Sequence, residues 1–232
     1  MLTAIIVAAG SSQRMGFDKL FALLDGKPVF FHSIDAFERT KSVSEIVVVG
    51  RKDRLGELEE IVRIHKWKKV REIAAGGVHR QDSVRAGLAR VSGSAEYVAV
   101  HDAARPLVTP EQIERVFDLC REHGGAALAE PITDTVKRAT EEGFVCASIE
   151  RDRLYAMQTP QIFSRARLEQ AYEIIMTEKI SITDEVSALE HLGQKVILVP
   201  NEEYNFKITY PADLPLAAFV IRQRQRSEGA GV

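Results

Sequence analysis

Four polar clusters, each following an apolar run, carry the chemistry this sequence can perform. The first spans residues 8–19, AAGSSQRMGFDK, after the run Ala4-Ile5-Ile6-Val7. Its small residues let backbone N–H groups approach a ligand closely, and Arg14 and Lys19 add positive charge. That combination suits a polyphosphate, whereas the alternative is a plain strand-to-helix turn with two solvated cations. Two familiar phosphate loops fail on spacing. A Walker loop needs G-x-x-x-x-G-K-[ST], but five residues separate Gly10 from Gly16 and Phe17 follows. A dinucleotide fingerprint needs glycine where Ser12 stands.

The other clusters are GGVHRQDS (76–83), HDAAR (101–105) and NFKIT (205–209). Asp102 and Arg105 fit a hard cation and a phosphate, since Mg²⁺ prefers oxygen ligands and a guanidinium grips phosphate bidentately. A local ion pair that shapes the turn is the competing reading. His101 reads as structural, satisfying a local hydrogen bond. Gly76-Gly77 is either a simple turn or a place where a base lies against the backbone. Lys207 is strand-edge decoration or points at the ligand. The string Lys66, Lys68, Lys69, Arg71 beside Trp67 reads as a solvated surface. The sequence offers cations and a carboxylate rather than a Ser-His-Asp set, and G-x-S-x-G does not occur.

These clusters need a scaffold that brings them to one edge. Apolar runs at residues 45–50, 70–74, 97–100, 126–129 and 196–199 read as strands. Helical spacing appears at 28–37, 55–64, 83–91, 164–176 and from Pro211 onward. Thr109-Pro110-Glu111-Gln112 has the form of a capping box with proline at the first helical position. Thr183-Asp184-Glu185 opens another helix that ends near Gly193. Strands and helices alternate with short connections, which argues for an α/β fold: a Rossmann-like, mostly parallel sheet with helices on both faces. In such sheets ligands bind beyond the carboxyl ends of the strands. Residues 135–138 and 144–149 break the alternation and read as a β-hairpin arm. It has little to bury alone, and an exposed strand pair is often covered by a second subunit.

The bulk properties bound the partners. A chain of 232 residues with 45% hydrophobic and 28% charged residues is a globular protein with a sizeable core. The expected organisation is a single domain over 1–232 with the arm as a sub-domain at about 132–157. Formal net charge is -2, which gives no bulk attraction for nucleic acid. Two cysteines suggest neither a zinc site nor a disulfide framework. No apolar run approaches a transmembrane span, and the N-terminus does not read as a signal peptide, so the expected location is cytoplasmic, away from membranes.

The motifs AAGSSQRMGFDK, GGVHRQDSVRAGL, HDAARP, ITDTVKR, QTPQIF, ITDEVSALE and NFKIT, in this order over nearly the whole chain, resemble 2-C-methyl-D-erythritol 4-phosphate cytidylyltransferases. The resemblance implies a nucleotide-diphospho-sugar transferase-like fold and CTP-dependent, Mg²⁺-assisted transfer to a sugar-alcohol phosphate. It implies that Ala8, Ala9 and Gly10 lie against the nucleotide. Arg14 and Lys19 would hold the triphosphate and stabilise the transition state. Gly77 and Ser83 match the segment that reads cytosine, and Ala103 lies near the ribose. Asp102 matches the metal and substrate acid. Arg105, Thr135, Thr183 and Arg151 match residues around the methylerythritol phosphate, with Arg151 and Lys207 positioning its phosphate. In the family the arm exchanges within a homodimer, so Thr135 and Arg151 would serve the partner's site. Three positions depart from the pattern: Ser12 for a common Gly, Asp18 for the usual Pro before Lys19, and Val78 for a common acid. The alternatives are a ribitol 5-phosphate type cytidylyltransferase and a non-catalytic nucleotide-binding protein.

Overall fold

The computed structural model describes residues 1–10 and 18–229. In chain order it contains β1 (Leu2–Ala8), β2 (Leu23–Leu24), β3 (Lys27–Pro28), α1 (Val29–Arg39), β4 (Val43–Gly50), α2 (Leu55–His65) and β5 (Val70–Ala75). Next come α3 (Arg80–Leu88), β6 (Tyr97–Asp102), α4 (Pro110–His123), β7 (Gly125–Pro131), β8 (Val136–Ala139) and β9 (Val145–Ile149). The chain closes with β10 (Tyr155–Ser164), α5 (Arg165–Thr177), α6 (Glu185–His191), β11 (Ile197–Pro200) and α7 (Asp213–Gly229).

Seven strands form one sheet in the order β11-β7-β10-β6-β1-β4-β5. All neighbours run parallel except β10, which is antiparallel to both β6 and β7. Alternation along the strands sends side chains to opposite faces. Leu2, Ala4 and Ile6 pack with Phe30, Ile34, Phe37, Ile113 and Val116 of α1 and α4. Ile5, Val47, Val49, Val98 and Val100 pack with Val84, Leu168, Tyr172 and Leu189 of α3, α5 and α6 on the other side. The helices on both faces are therefore a direct consequence of strands that are apolar on both sides.

β10 departs from the expected pattern. The sequence QTPQIF does not read as a strand, because Gln158, Thr159 and Gln161 are polar and Pro160 cannot donate to a ladder. The structure buries all three, each no more than 3% exposed. The pairing jumps from Met157↔Ala129 to Gln161↔Ala127, so Pro160 sits in a bulge rather than in the ladder. Tyr155 and Ala156, expected within the arm, already pair with β7.

Helix boundaries follow local capping. Thr109 Oγ1 accepts from the Gln112 N–H while Gln112 Oε1 accepts from Thr109, as the box predicts. Helix α3 begins at Arg80, earlier than the apolar spacing suggested, where the Asp82 carboxylate accepts from the His79 N–H at 3.1 Å. β8 and β9 form a separate two-stranded sheet, the expected arm, with Phe144 and Val145 exposed at its tip.

Candidate active site

The chain runs outward from β1 through β4 to β5 and returns to place β6 on the other side of β1. The crevice beyond β1 and β6 is thus a topological switch point, where open α/β sheets bind ligands. Ala8, Ala9 and Gly10 leave β1 there, and Asp102 ends β6 beside them. Gly76 follows β5 against the same wall. A Cβ on Gly76 would lie 2.4 Å from Ala9 Cβ and 2.8 Å from Ser83 Oγ, so glycine is required by the close approach of the two loops. Ser83 Oγ accepts from the Gly77 N–H at 3.2 Å and fixes the turn. Val78, next along, is 92% exposed. Arg14 lies outside the described residues.

Asp102 is the centre of the charged groups. Its Oδ1 accepts from Arg80 Nε at 3.0 Å and its Oδ2 from Lys207 Nζ at 2.6 Å. Burial by itself would raise its pKa, but Arg80, and then Lys207, hold the carboxyl well below the usual range. Lys19 stands at the same edge, its Nζ donating to the Ile208 carbonyl at 2.7 Å. Ala103 is fully buried and its N–H donates to the Val7 carbonyl, tying the two strand ends together.

Several supports of this centre carry no apolar signal and were not singled out from the sequence. Arg80 donates both terminal nitrogens to Glu185, at 2.8 and 3.0 Å, and Glu185 is fully buried. Tyr172 donates its hydroxyl to the same carboxylate at 2.9 Å. Arg80 and Glu185 stand in the quoted motifs at 76–88 and 182–190, which was the available signal. A second network holds the 205–207 segment. Gln158 Oε1 accepts from Asn201 and Asn205, and Asn205 Nδ2 also donates to the Thr159 carbonyl at 2.9 Å.

His101 is structural, as its sequence context suggested. Nε2 must donate to the Arg105 carbonyl, 3.2 Å away, which leaves Nδ1 to accept from Thr159 Oγ1 at 3.0 Å. Complete burial pushes its pKa down to about 3, so the ring is neutral. Arg105 does not pair with Asp102 through a direct ion pair. Its terminal nitrogens donate to the carbonyls of Asn205 (2.8 Å) and Met157 (3.1 Å). It thereby clamps the Lys207 segment to β10, and its buried Nε has no protein partner among the described residues.

Thr183 is exposed just before α6; Asp184 caps that helix by accepting from the Ser187 N–H at 3.0 Å. Thr135 and Arg151 flank the exposed arm, and Arg151 donates to the Thr133 carbonyl.

Among the described residues no group of three or more His, Cys, Asp or Glu side chains could cage a metal. Asp102 is a single carboxylate at this edge, paired with Arg80 and Lys207. That donor set fits a hard cation that arrives with phosphate oxygens as its other ligands, the usual habit of Mg²⁺.

A mostly parallel sheet whose switch point brings together the small residues that leave β1, a buried carboxylate and two lysines fits a nucleotidyltransferase. The family model described as IspD: 2-C-methyl-D-erythritol 4-phosphate cytidylyltransferase matches residues 2–223. The chain belongs to that family. It is 36% identical to the 2-C-methyl-D-erythritol 4-phosphate cytidylyltransferase of Alkaliphilus metalliredigens, covering 98% of this chain and 95% of the relative. Identity to the enzyme of that name from Bacillus mycoides is 39%, covering 94% and 96%. The crystal structure of 4-diphosphocytidyl-2C-methyl-D-erythritol synthase from Anaerococcus prevotii superposes with a TM-score of 0.84 at 29% identity, covering 95% of this chain and 96% of that one.

Proposed function

We propose that this chain transfers CMP from CTP to 2-C-methyl-D-erythritol 4-phosphate, giving 4-diphosphocytidyl-2-C-methyl-D-erythritol and pyrophosphate in non-mevalonate isoprenoid precursor synthesis. A substrate phosphate oxygen attacks the α-phosphorus of CTP, and the bond to the β-phosphate oxygen breaks as pyrophosphate leaves. The attacking phosphate is already ionised, so the reaction needs positioning and charge neutralisation rather than a strong base. The observation that carries this reading is the Lys207–Asp102–Arg80 centre at the switch point of a chain that matches the family from residue 2 to 223.

In this reading Ala8, Ala9, Gly10, Gly77, Ser83 and Ala103 line the nucleotide. Arg14 and Lys19 meet the triphosphate and the charge that develops as pyrophosphate departs. Lys207 orients the attacking phosphate, and Thr183 and Asp102 face the polyol. Arg105 acts by holding the segment that carries Lys207. Asp102 would hold Mg²⁺, which when bound supplies neutralisation of phosphate charge. A homodimer formed through the arm would bring Thr135 and Arg151 to the partner's site. No helix of the described residues is long and apolar enough to cross a membrane, in keeping with an enzyme of the cytoplasm.

The test is pyrophosphate release by purified protein with Mg²⁺, CTP and methylerythritol phosphate. Release that depends on all three is expected. Preference for ribitol 5-phosphate would move the assignment to that cytidylyltransferase type. CTP binding without turnover on any polyol phosphate would make the chain a nucleotide-binding protein.

A further inference from the structure

Arg80 is shared between two carboxylates, and the division is unequal. Its forked Nη1 and Nη2 both go to Glu185, which leaves Nε alone for Asp102. The preferred geometry of an unconstrained guanidinium is bidentate on one carboxylate. Here Glu185 takes that arrangement. Asp102 Oδ2 takes no hydrogen bond from the guanidinium and meets Lys207 instead, a side chain that is 37% exposed. Glu185 is itself over-determined. It accepts from Tyr172, which is 3% exposed, and its backbone N–H donates to Gln161 Oε1 at 3.1 Å. The Val186 N–H shares that oxygen at 3.2 Å, so the start of α6 is pinned to β10. Charges alternate along the row Glu185, Arg80, Asp102, Lys207, and removal of the outermost one must redistribute the next.

We propose that Glu185 and Tyr172 are positioning residues that hold Arg80 to a single contact with Asp102, so that Asp102 Oδ2 stays available for exchange between Lys207 and a phosphate-borne divalent cation. Both outer residues reach Asp102 only through Arg80. With Glu185 neutral, Arg80 loses its charged partner and rotates its fork onto Asp102, engaging both oxygens. The carboxylate is then occupied by a neighbour that does not leave, whereas Lys207 sits on an exposed stem that can swing away. This inference rests on the reading of Asp102 as the acid that meets the cation.

The experiment uses the full chain with Glu185→Gln and Tyr172→Phe. Calorimetry measures CTP binding with Mg²⁺ and with EDTA, and turnover is followed against Mg²⁺ concentration at saturating CTP. Glu185→Gln is expected to reduce the Mg²⁺-dependent gain in CTP affinity about tenfold and to raise half-saturating Mg²⁺ by a similar factor. Binding in EDTA should change less than threefold. Tyr172→Phe keeps the charge and should move both quantities the same way by about twofold to fivefold. A merely structural role would lower the active fraction and the melting temperature without moving the metal dependence. Unchanged metal dependence in folded Glu185→Gln would overturn the proposal. If that variant does not fold, unchanged metal dependence in Tyr172→Phe would do the same. A wild-type protein that turns over no polyol phosphate would instead remove the functional reading itself.

Discussion

Arg105 gives the sharpest test of how the site is built, because sequence and structure suggest different uses for it. Its guanidinium joins the carbonyls of Asn205 and Met157, at 2.8 and 3.1 Å, across the boundary between β10 and the Lys207 segment. Burial holds its pKa below the ordinary arginine value, so the side chain is kept charged at a cost. Arg105→Ala leaves two carbonyls without donors, at about 1–3 kcal/mol each. Relief of the guanidinium's desolvation offsets part of that. The net loss is about 2–4 kcal/mol, or roughly 10 °C in melting temperature for a chain of this size. Arg105→Lys keeps the charge but loses the fork, so it should lie between the two. Scanning calorimetry at neutral pH measures the shift, and steady-state kinetics measures its consequence. Lys207 is two residues from Asn205, so KM for the sugar phosphate should rise more than KM for CTP. An Arg105→Ala protein that melts within about 2 °C of the parent would refute the clamp and leave Arg105 as a direct phosphate ligand.

Lys19→Ala and Lys207→Ala should each lower kcat at least about tenfold, roughly 1.4 kcal/mol of barrier, and wild-type turnover in either would remove that lysine from the mechanism. Gly76→Ala forces a methyl group to 2.4 Å from Ala9 Cβ, so KM for CTP should rise about tenfold, roughly 1.4 kcal/mol, while kcat at saturation falls less. Phe163→Ala empties a fully buried site between β10 and α5 and should cost about 3–5 kcal/mol in denaturant unfolding. Phe144→Ser combined with Val145→Ser removes apolar surface that is 74% and 67% exposed on the arm. Sedimentation should show a dimer weakened to monomer with activity lost in parallel, and an unchanged mass would dissociate the arm from assembly.

Much of the fold was legible because its signals are local. The runs that became β1, β4 and β6 are apolar on both faces, and the Thr109–Gln112 box lies within one helical turn. The small-residue turn after β1 was visible for the same reason, since Ala8, Ala9 and Gly10 follow the apolar run directly in the chain. The strand β10 escaped because its buried positions are polar. Gln158, Thr159 and Gln161 are inside only because Asn201, Asn205, His101 and the start of α6 supply their hydrogen bonds. None of those partners is near in sequence.

The sequence by itself determined the alternating elements, the small-residue turn that follows β1 and the residue types available at the ends of the strands. It left open whether Asp102 and Arg105 form a local pair, and it gave no weight to Arg80 or Glu185. Those were decided by the sheet order. Returning from β5 to place β6 beside β1 brings the Ala9, Gly76 and Asp102 loops together, and inserting β10 antiparallel turns Gln158 and Thr159 toward the segment that carries Lys207. Arg80 and Glu185 are 105 residues apart, so their contact exists only once α3 and α6 pack on the same face. A carboxylate held by two cations from distant elements is a property of the packed sheet, because chain closure brings such charges together and burial makes their pairing strong.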